Sequence, residues 1–89
     1  MFAQTVTIQN EQGFHVRPAQ LFSEKAGQYE AEVRLMTGEG RAADCKSMLE
    51  LMTLGIERGA VVSIEASGDG EQEVVEALVQ LVVSKFGEG

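Results

Sequence analysis

The residues best suited to chemistry lie in one short stretch, residues 13–19, which reads GFHVRPA. The stretch contains the only histidine and the only proline of the chain, His15 and Pro18, with Arg17 between them. A histidine side chain titrates near pH ~6.5, so its neutral form offers a nucleophilic nitrogen that can accept a phosphoryl group. The planar guanidinium of arginine carries paired N–H donors that match phosphate oxygens. Residues 13–19 could therefore hold a phosphoryl group.

A helix is predicted to begin directly after His15, and its start would add to this site. Three residues at i, i+3 and i+7 mark its buried stripe: Ala19, Phe22 and Ala26. Gly27 would end the helix, and Pro18 would fall in the first turn, where an N–H has no intrahelical partner. The N–H groups and the positive dipole at a helix start bind anions. The residues alone leave open a simpler interpretation, in which His15 is only a weak N-cap on an exposed turn.

Alternating apolar residues predict four strands around this helix: residues 2–8, 30–36, 41–43 and 60–67. Residues 37–40, TGEG, form a predicted turn that joins the second and third strands as a hairpin. Polar residues 10–13 are predicted to be the loop that precedes the histidine.

A second helix is predicted over residues 47–54, with Gly55 as its stop signal. Ser47 and Glu50 have the spacing of a capping box, in which each side chain satisfies a backbone N–H of the other residue. Ser47 is therefore either a cap alone or also a phosphorylation site, where added negative charge would alter the surface offered to partners. Met48 and Met52, at i and i+4, are either core residues or an adaptable contact surface.

A last helix is predicted from an i, i+4, i+7, i+8 stripe of apolar residues: Val74, Leu78, Leu81 and Val82. Asp69 and Gln72 resemble a second capping pair, and Lys85 is expected in the final turn, where a cation suits the helix dipole. The resulting order is β-α-β-β-α-β-α. This order predicts an α+β domain with helices on one face of a mainly antiparallel sheet.

Length and charge exclude several classes of protein. The 89 residues suffice for one compact domain, spanning residues 1–89, and a net charge of −7 argues against nucleic-acid binding. No apolar run has the length of a membrane span, and the N-terminus lacks the pattern of a signal peptide. Cys45, the single cysteine, is expected to fill space in the core, and no Cys/His cluster offers a metal site. We expect a soluble cytoplasmic domain without metal or cofactor.

Two stretches together resemble the HPr family, the histidine-containing phosphocarriers of the bacterial phosphotransferase system. Residues 13–19 match the family signature G-[hydrophobic]-H-x-R-P-A. Residues 46–55, KSMLELMTLG, are similar to its K-S-[hydrophobic]-[hydrophobic]-x-[hydrophobic]-[hydrophobic]-[ST]-L-G segment. Both motifs occur in the right order and at the right separation, and the resemblance covers the whole chain.

The resemblance implies an open-faced β-sandwich: a four-stranded antiparallel sheet, in spatial order 1-4-2-3, covered on one face by three helices. It implies that His15 accepts a phosphoryl group on Nδ1 from phosphorylated enzyme I, with help from Arg17, and passes it to the IIA domains of sugar permeases. It further implies that Ser47 matches the serine modified by HPr kinase/phosphorylase in many bacteria. The apolar residues after this serine would form the partner-docking surface: Met48, Leu49 and Met52.

The first hypothesis is a monomeric carrier of the sugar phosphotransferase system, and three alternatives compete with it. The nitrogen-related branch of the family, or another regulatory paralogue, would share His15 but control other proteins. A βαββαβ module that binds a ligand or RNA is a weaker alternative, because RNA binding favours aromatic side chains and basic surface. An independent enzyme is disfavoured, because the single histidine has no second positioned base beside it in the sequence.

Overall fold

A computed structural model describes residues 1–9 and 13–87. Its four strands form one antiparallel sheet in the order β1-β4-β2-β3, as the resemblance implied. The strands are β1, Phe2–Thr7; β2, Glu32–Thr37; β3, Ala42–Asp44; and β4, Val61–Ser67. The central strand β4 pairs with β1 on one side and β2 on the other, placing Val62 opposite Val6 and Ile64 opposite Leu35. Of the loop predicted over residues 10–13, residues 10–12 lie outside the described residues.

Three helices cover the sheet: α1, Val16–Ala26; α2, Met48–Thr53; and α3, Glu71–Val83. A short turn, Lys85–Gly87, follows α3. This confirms the predicted α+β class and the order β-α-β-β-α-β-α. Within the described residues, no helix is both long and apolar enough to cross a membrane.

The core lies between the helices and one face of the sheet. Alternate residues of β2 and β4 point into it and are almost fully buried: Val33, Leu35, Val62, Ile64 and Ala66. They pack against buried residues of the helices, among them Ala19, Phe22, Val74 and Leu78. Burial of each large apolar side chain stabilises the fold by roughly 1.5–3 kcal/mol. The period-two and helical patterns of the sequence correctly identified these residues.

The predicted capping pair of α3 is wrong. The N-cap is Gly70, which has φ 80° and no side-chain cap, so Asp69 lies one position too early to cap the helix. The carboxylate of Glu71 instead accepts a hydrogen bond from the N–H of Gly68 at 3.1 Å. Its other oxygen lies 3.1 Å from the amino group of Met1. The turn before α3 is thus closed by Glu71, which sequence spacing did not indicate.

The capping box of α2 is only half formed. The hydroxyl of Ser47 accepts a hydrogen bond from the N–H of Glu50 at 3.3 Å, as predicted. The carboxylate of Glu50, however, accepts from the N–H of Asp44 at 3.1 Å rather than from that of Ser47. The reason is that the N–H of Ser47 already donates to the carbonyl of Asp44 at 3.0 Å.

The position of Lys85 was also predicted wrongly. Helix α3 ends at Val83, and Lys85 lies beyond it with φ 57°. Its amine is therefore not in the last turn of the helix. The buried stripe of α3 also differs slightly, because Val75 is fully buried while Leu81 is only half-buried.

Candidate functional site

His15 is the N-cap residue of α1. Its backbone is extended, with φ −86° and ψ −164°, and its side chain makes no capping hydrogen bond. Its carbonyl accepts the first hydrogen bond of the helix, from the N–H of Ala19 at 3.1 Å. The residue is half-exposed. The structure therefore places the imidazole at a loop-to-helix junction with partial access to solvent.

The loop before His15 lies close against the segment that follows α2. Gly13 has φ 64°, and a Cβ atom at this position would lie 2.5 Å from the carbonyl oxygen of Ile56 and 2.8 Å from Cα of Glu57. The N–H of Phe14 donates to that same carbonyl of Ile56 at 3.0 Å. Glycine is required here by both the backbone angle and the close approach.

The side chain of Phe14 is buried in a cluster of three aromatic rings. Its ring is 5.1 Å from that of Phe22, at an interplanar angle of 77°, and 5.5 Å from that of Phe86, at 84°. Edge-to-face pairs of this kind contribute about 0.5–1.5 kcal/mol beyond the burial of their surface. The residue before His15 is thus held through both its backbone and its ring.

The first turn of α1 supplies groups that attract an anion. Arg17 is the second helical residue and is exposed, whereas Pro18 is the third and is buried. The amides of Val16 and Arg17 belong to the first turn, where N–H groups have no intrahelical acceptor. That turn contains no acidic residue. A phosphoryl group on His15 would meet the positive end of the helix dipole and a nearby arginine, with no carboxylate in the turn itself.

Helix α2, the second predicted site region, packs against α1. Leu49 and Met52 are 78% and 39% exposed, whereas Met48 is half-buried and packs against the core. On α1, Val16 is 51% exposed. The structure therefore shows exposed apolar side chains on two helices that are in contact.

Ser47 lies in the short segment that enters α2, where two carboxylates accept hydrogen bonds from backbone N–H groups. A carboxylate oxygen of Asp44 accepts from the N–H of Lys46 at 2.9 Å, and a carboxylate oxygen of Glu50 accepts from the N–H of Asp44 at 3.1 Å. The amine of Lys46 donates to the carbonyl of Tyr29 at 2.8 Å. These contacts fix the start of α2, with Ser47 half-buried.

Sequence reasoning missed two residues that support the site, Arg41 and Phe86. Arg41 donates to the carbonyls of Thr53 and Leu54 at the end of α2, at 2.8 Å and 3.5 Å. No local pattern could have indicated this contact, because its partners are 12 and 13 residues away. In the sequence, Phe86 is an isolated apolar residue after the last helix, and this pattern indicates burial only weakly.

The remaining titratable candidate, Cys45, is fully buried. Burial, with a smaller contribution from the charge of Asp44, raises the pKa of its thiol far above the usual range. The thiol is therefore neutral near pH 7 and fits the space-filling role expected of it. Within residues 1–9 and 13–87, no group of three or more His, Cys, Asp or Glu side chains could hold a metal ion.

Comparison with known proteins agrees with this architecture. The family model of the PTS HPr component phosphorylation site matches residues 2–84, which include both motifs. The chain is 36% identical to the phosphocarrier protein HPr of Cupriavidus necator, over 100% of this chain and 99% of that protein. It is 39% identical to the phosphocarrier protein NPr of Klebsiella oxytoca, over 96% of this chain and 94% of that protein.

Among solved structures, HPr-C-His from Thermoanaerobacter tengcongensis superposes with a TM-score of 0.94 at 38% identity, covering 100% of this chain and 99% of that one. The resemblance noted from two sequence motifs is thereby confirmed over the length of the fold. The chain belongs to the PTS HPr family, whose members are phosphocarriers of the phosphotransferase system.

Proposed function

We propose that the protein is a monomeric cytoplasmic carrier, a single domain over residues 1–89, that accepts a phosphoryl group on His15. The donor is phosphorylated enzyme I, charged from phosphoenolpyruvate, and the acceptors are IIA domains of sugar permeases. The observation that carries this proposal is that half-exposed His15 is the N-cap of α1, whose first turn contains the exposed Arg17 and no acidic residue. The protein acts as a carrier and not as an independent catalyst.

In the transfer, the lone pair of an imidazole nitrogen, Nδ1 in this family, attacks phosphorus while the bond from phosphorus to the donor breaks. Negative charge on the phosphoryl oxygens then faces the start of α1. Arg17 can donate two N–H groups to these oxygens, and the first-turn amides add to them. A single arginine and a helix terminus stabilise the group without binding it so strongly that onward transfer is prevented.

Donor and acceptor must both dock beside His15, so their contacts must be transient. Leu49 and Met52, together with the half-buried Met48, are proposed to form the docking surface on α2. Small apolar surfaces of this kind suit interfaces that form and dissociate quickly. Because α2 packs on α1, a partner that covers these side chains would also lie close to α1.

We also propose Ser47 as a regulatory phosphorylation site for an HPr kinase/phosphorylase. A phosphoryl group there would lie at the start of α2, next to the docking residues of the same helix. It would add negative charge to a segment that already carries the carboxylates of Asp44 and Glu50. Phosphorylation should therefore disturb the start of α2 and weaken docking.

The nitrogen-related branch is a second candidate, since the identity to an NPr, 39%, is as high as that to an HPr, 36%. Purified enzyme I of the sugar system and of the nitrogen system, each supplied with phosphoenolpyruvate, would distinguish the two. The faster donor at equal concentration identifies the branch.

The central experiment incubates the protein with labelled phosphoenolpyruvate and a bacterial enzyme I. We expect an acid-labile phosphate that is lost in His15→Ala and retained in Ser47→Ala, the matched control. A label that persists in His15→Ala, or a wild-type protein that takes none from either enzyme I, would refute the carrier assignment.

A further inference from the structure

The turn that follows α3 contains two consecutive residues in a disfavoured backbone conformation. Lys85 has φ 57°, and Phe86 has φ 55° and ψ 27°. Residues other than glycine rarely adopt this left-handed region, because Cβ crowds the neighbouring carbonyl oxygen. Two such residues in succession persist only where the surrounding structure holds them in place. The turn therefore needs a compensating contact.

That contact is made by the side chain of Phe86. Phe86 is only 5% exposed, and its ring lies against that of Phe14, with a centroid distance of 5.5 Å and an interplanar angle of 84°. It is also 6.3 Å from the ring of Phe22 in α1. The strained turn directs this one ring inward, so the strain is offset by burial next to the residue that precedes His15.

Through Phe14, the contact made by Phe86 could affect the phosphoryl transfer proposed for His15. The N–H of Phe14 is held by the carbonyl of Ile56 at 3.0 Å, and its ring is held between Phe22 and Phe86. His15 follows directly, and its carbonyl begins the hydrogen bonding of α1. The orientation of Phe14 therefore sets the direction in which the chain enters the helix. The imidazole of His15 is carried on that short connection.

We propose that Phe86 is a positioning residue for His15, acting through Phe14. The inference rests on the proposed function of His15 as phosphoryl acceptor, and it adds a residue that lies outside both motifs. Without the Phe86 ring, Phe14 loses one of its two aromatic neighbours and can shift towards the vacated space. The imidazole would then be displaced relative to the donor phosphorus.

The test measures the initial rate of His15 phosphorylation, with phosphoenolpyruvate and enzyme I, at increasing concentrations of the carrier. Phe86→Ala should lower the maximal rate by about tenfold or more, since a displacement of about 1 Å at a reacting centre can cost on the order of 100-fold. The carrier concentration at half-maximal rate should stay close to that of wild type, because Leu49 and Met52 are untouched. Phe86→Leu, which keeps an apolar side chain of similar reach, should restore most of the rate.

Two control variants separate positioning from general loss of stability. Val75→Ala removes buried surface from the N-terminal half of α3 and should leave the maximal rate unchanged at temperatures where circular dichroism shows the protein folded. Lys85→Gly relaxes one strained residue while keeping Phe86, so it should raise the melting temperature and keep the wild-type rate. A rate in folded Phe86→Ala equal to that of wild type, or an equal loss in Val75→Ala, would overturn the inference.

A spectroscopic measurement keeps the inference testable apart from phosphoryl transfer. The ring-proton resonances of His15, the only histidine, should shift in Phe86→Ala and stay in place in Val75→Ala. Unchanged resonances in Phe86→Ala would refute the positioning role. If wild-type protein takes no phosphate, the proposed function fails, whereas this NMR comparison still decides whether Phe86 positions His15.

Discussion

The guanidinium of Arg41 donates a hydrogen bond of 2.8 Å from Nη2 to the backbone carbonyl of Thr53. Arg41 follows the turn between β2 and β3, and Thr53 is the last residue of α2. The last carbonyls of a helix have no intrahelical donor, and they form the negative end of its dipole. A positively charged side chain from another part of the fold thus holds the end of the helix on which the proposed docking residues lie. The next residues lead to Gly55, with φ 62°, and to Ile56, whose carbonyl binds the N–H of Phe14.

Replacing this cation should destabilise the protein moderately. We expect Arg41→Ala to lower the free energy of unfolding by about 1–2 kcal/mol, because hydrogen bonds to a charged group and the dipole interaction are both lost. Arg41→Lys should lose less, since it keeps the charge but not the two-pronged geometry. Urea denaturation provides the measurement. Arg58→Ala removes another exposed arginine and serves as the control; an equal loss in this variant would show that the contact to α2 contributes nothing specific.

Ser47 should contribute to stability through its cap. Ser47→Ala removes the acceptor for the N–H of Glu50 and should cost about 1 kcal/mol. Ser47→Asn, which can still cap without adding charge, should recover most of this loss. Ser47→Asp can also cap, but it adds a negative charge to a segment that already carries Asp44 and Glu50, so it should be less stable than Ser47→Asn. Thermal unfolding at low and high salt checks this, because salt should reduce the difference between Asn and Asp. A difference that does not respond to salt would argue against repulsion.

Sequence patterns correctly indicated the elements whose residues face a common core. The stripe of Ala19, Phe22 and Ala26 is buried as predicted, as are the alternating residues of β4. The wrong predictions concern capping side chains that can accept hydrogen bonds from more than one backbone N–H. Glu50 bonds to Asp44 and not to Ser47, and Glu71 accepts from the N–H of Gly68 although Asp69 and Gln72 were the predicted pair. Such choices depend on which N–H groups the tertiary fold leaves unpaired, and spacing along the chain does not record that.

The support of the candidate site was the least predictable part. His15 and Arg17 could be selected because their side-chain chemistry is distinctive. The residues that hold them do so through contacts between distant segments, such as Phe14 with Phe86 and Phe14 with Ile56. A phenylalanine does not carry a local signal for the ring it will contact. The sequence therefore indicates the chemistry of the site more readily than its framework.

Acid sensitivity should depend on Glu71. The hydrogen bond from the N–H of Gly68, followed by that from the amino group of Met1, lowers the pKa of its carboxyl below the usual value. A carboxylate with a lowered pKa in the folded state adds stability above the unfolded pKa of ~4.3, and this is lost as the pH falls through the folded pKa. Glu71→Gln should therefore show a shallower loss of stability below pH ~4.3 than wild type. Unfolding free energies measured along a pH series would show this, with Glu73→Gln, an exposed residue of the same turn, as the control. Parallel curves for wild type and Glu71→Gln would contradict the assignment.

Alanine substitutions at three glycines would separate the cost of backbone strain from the cost of steric overlap at Gly13, in the loop that leads to His15. Gly13→Ala combines a positive φ of 64° with a Cβ only 2.5 Å from the carbonyl oxygen of Ile56. Gly55→Ala has a positive φ of 62° but no atom within 4 Å, and Gly38→Ala has neither problem. We expect no loss at Gly38, a loss of roughly 1–2 kcal/mol at Gly55 from the left-handed backbone alone, and a larger loss at Gly13.

The same substitutions distinguish a local change at the entry to His15 from a general loss of stability. In Gly13→Ala the overlap must push residues 13–14 away from Ile56, so the hydrogen bond from the N–H of Phe14 should weaken. Amide hydrogen exchange at Phe14 should therefore accelerate in Gly13→Ala beyond what its lower global stability explains. In Gly55→Ala, compared with Gly13→Ala at matched global stability, the amide of Phe14 should be more protected from exchange. If the two variants exchange alike at Phe14, the close approach of Gly13 to Ile56 does not control the entry of the chain to His15.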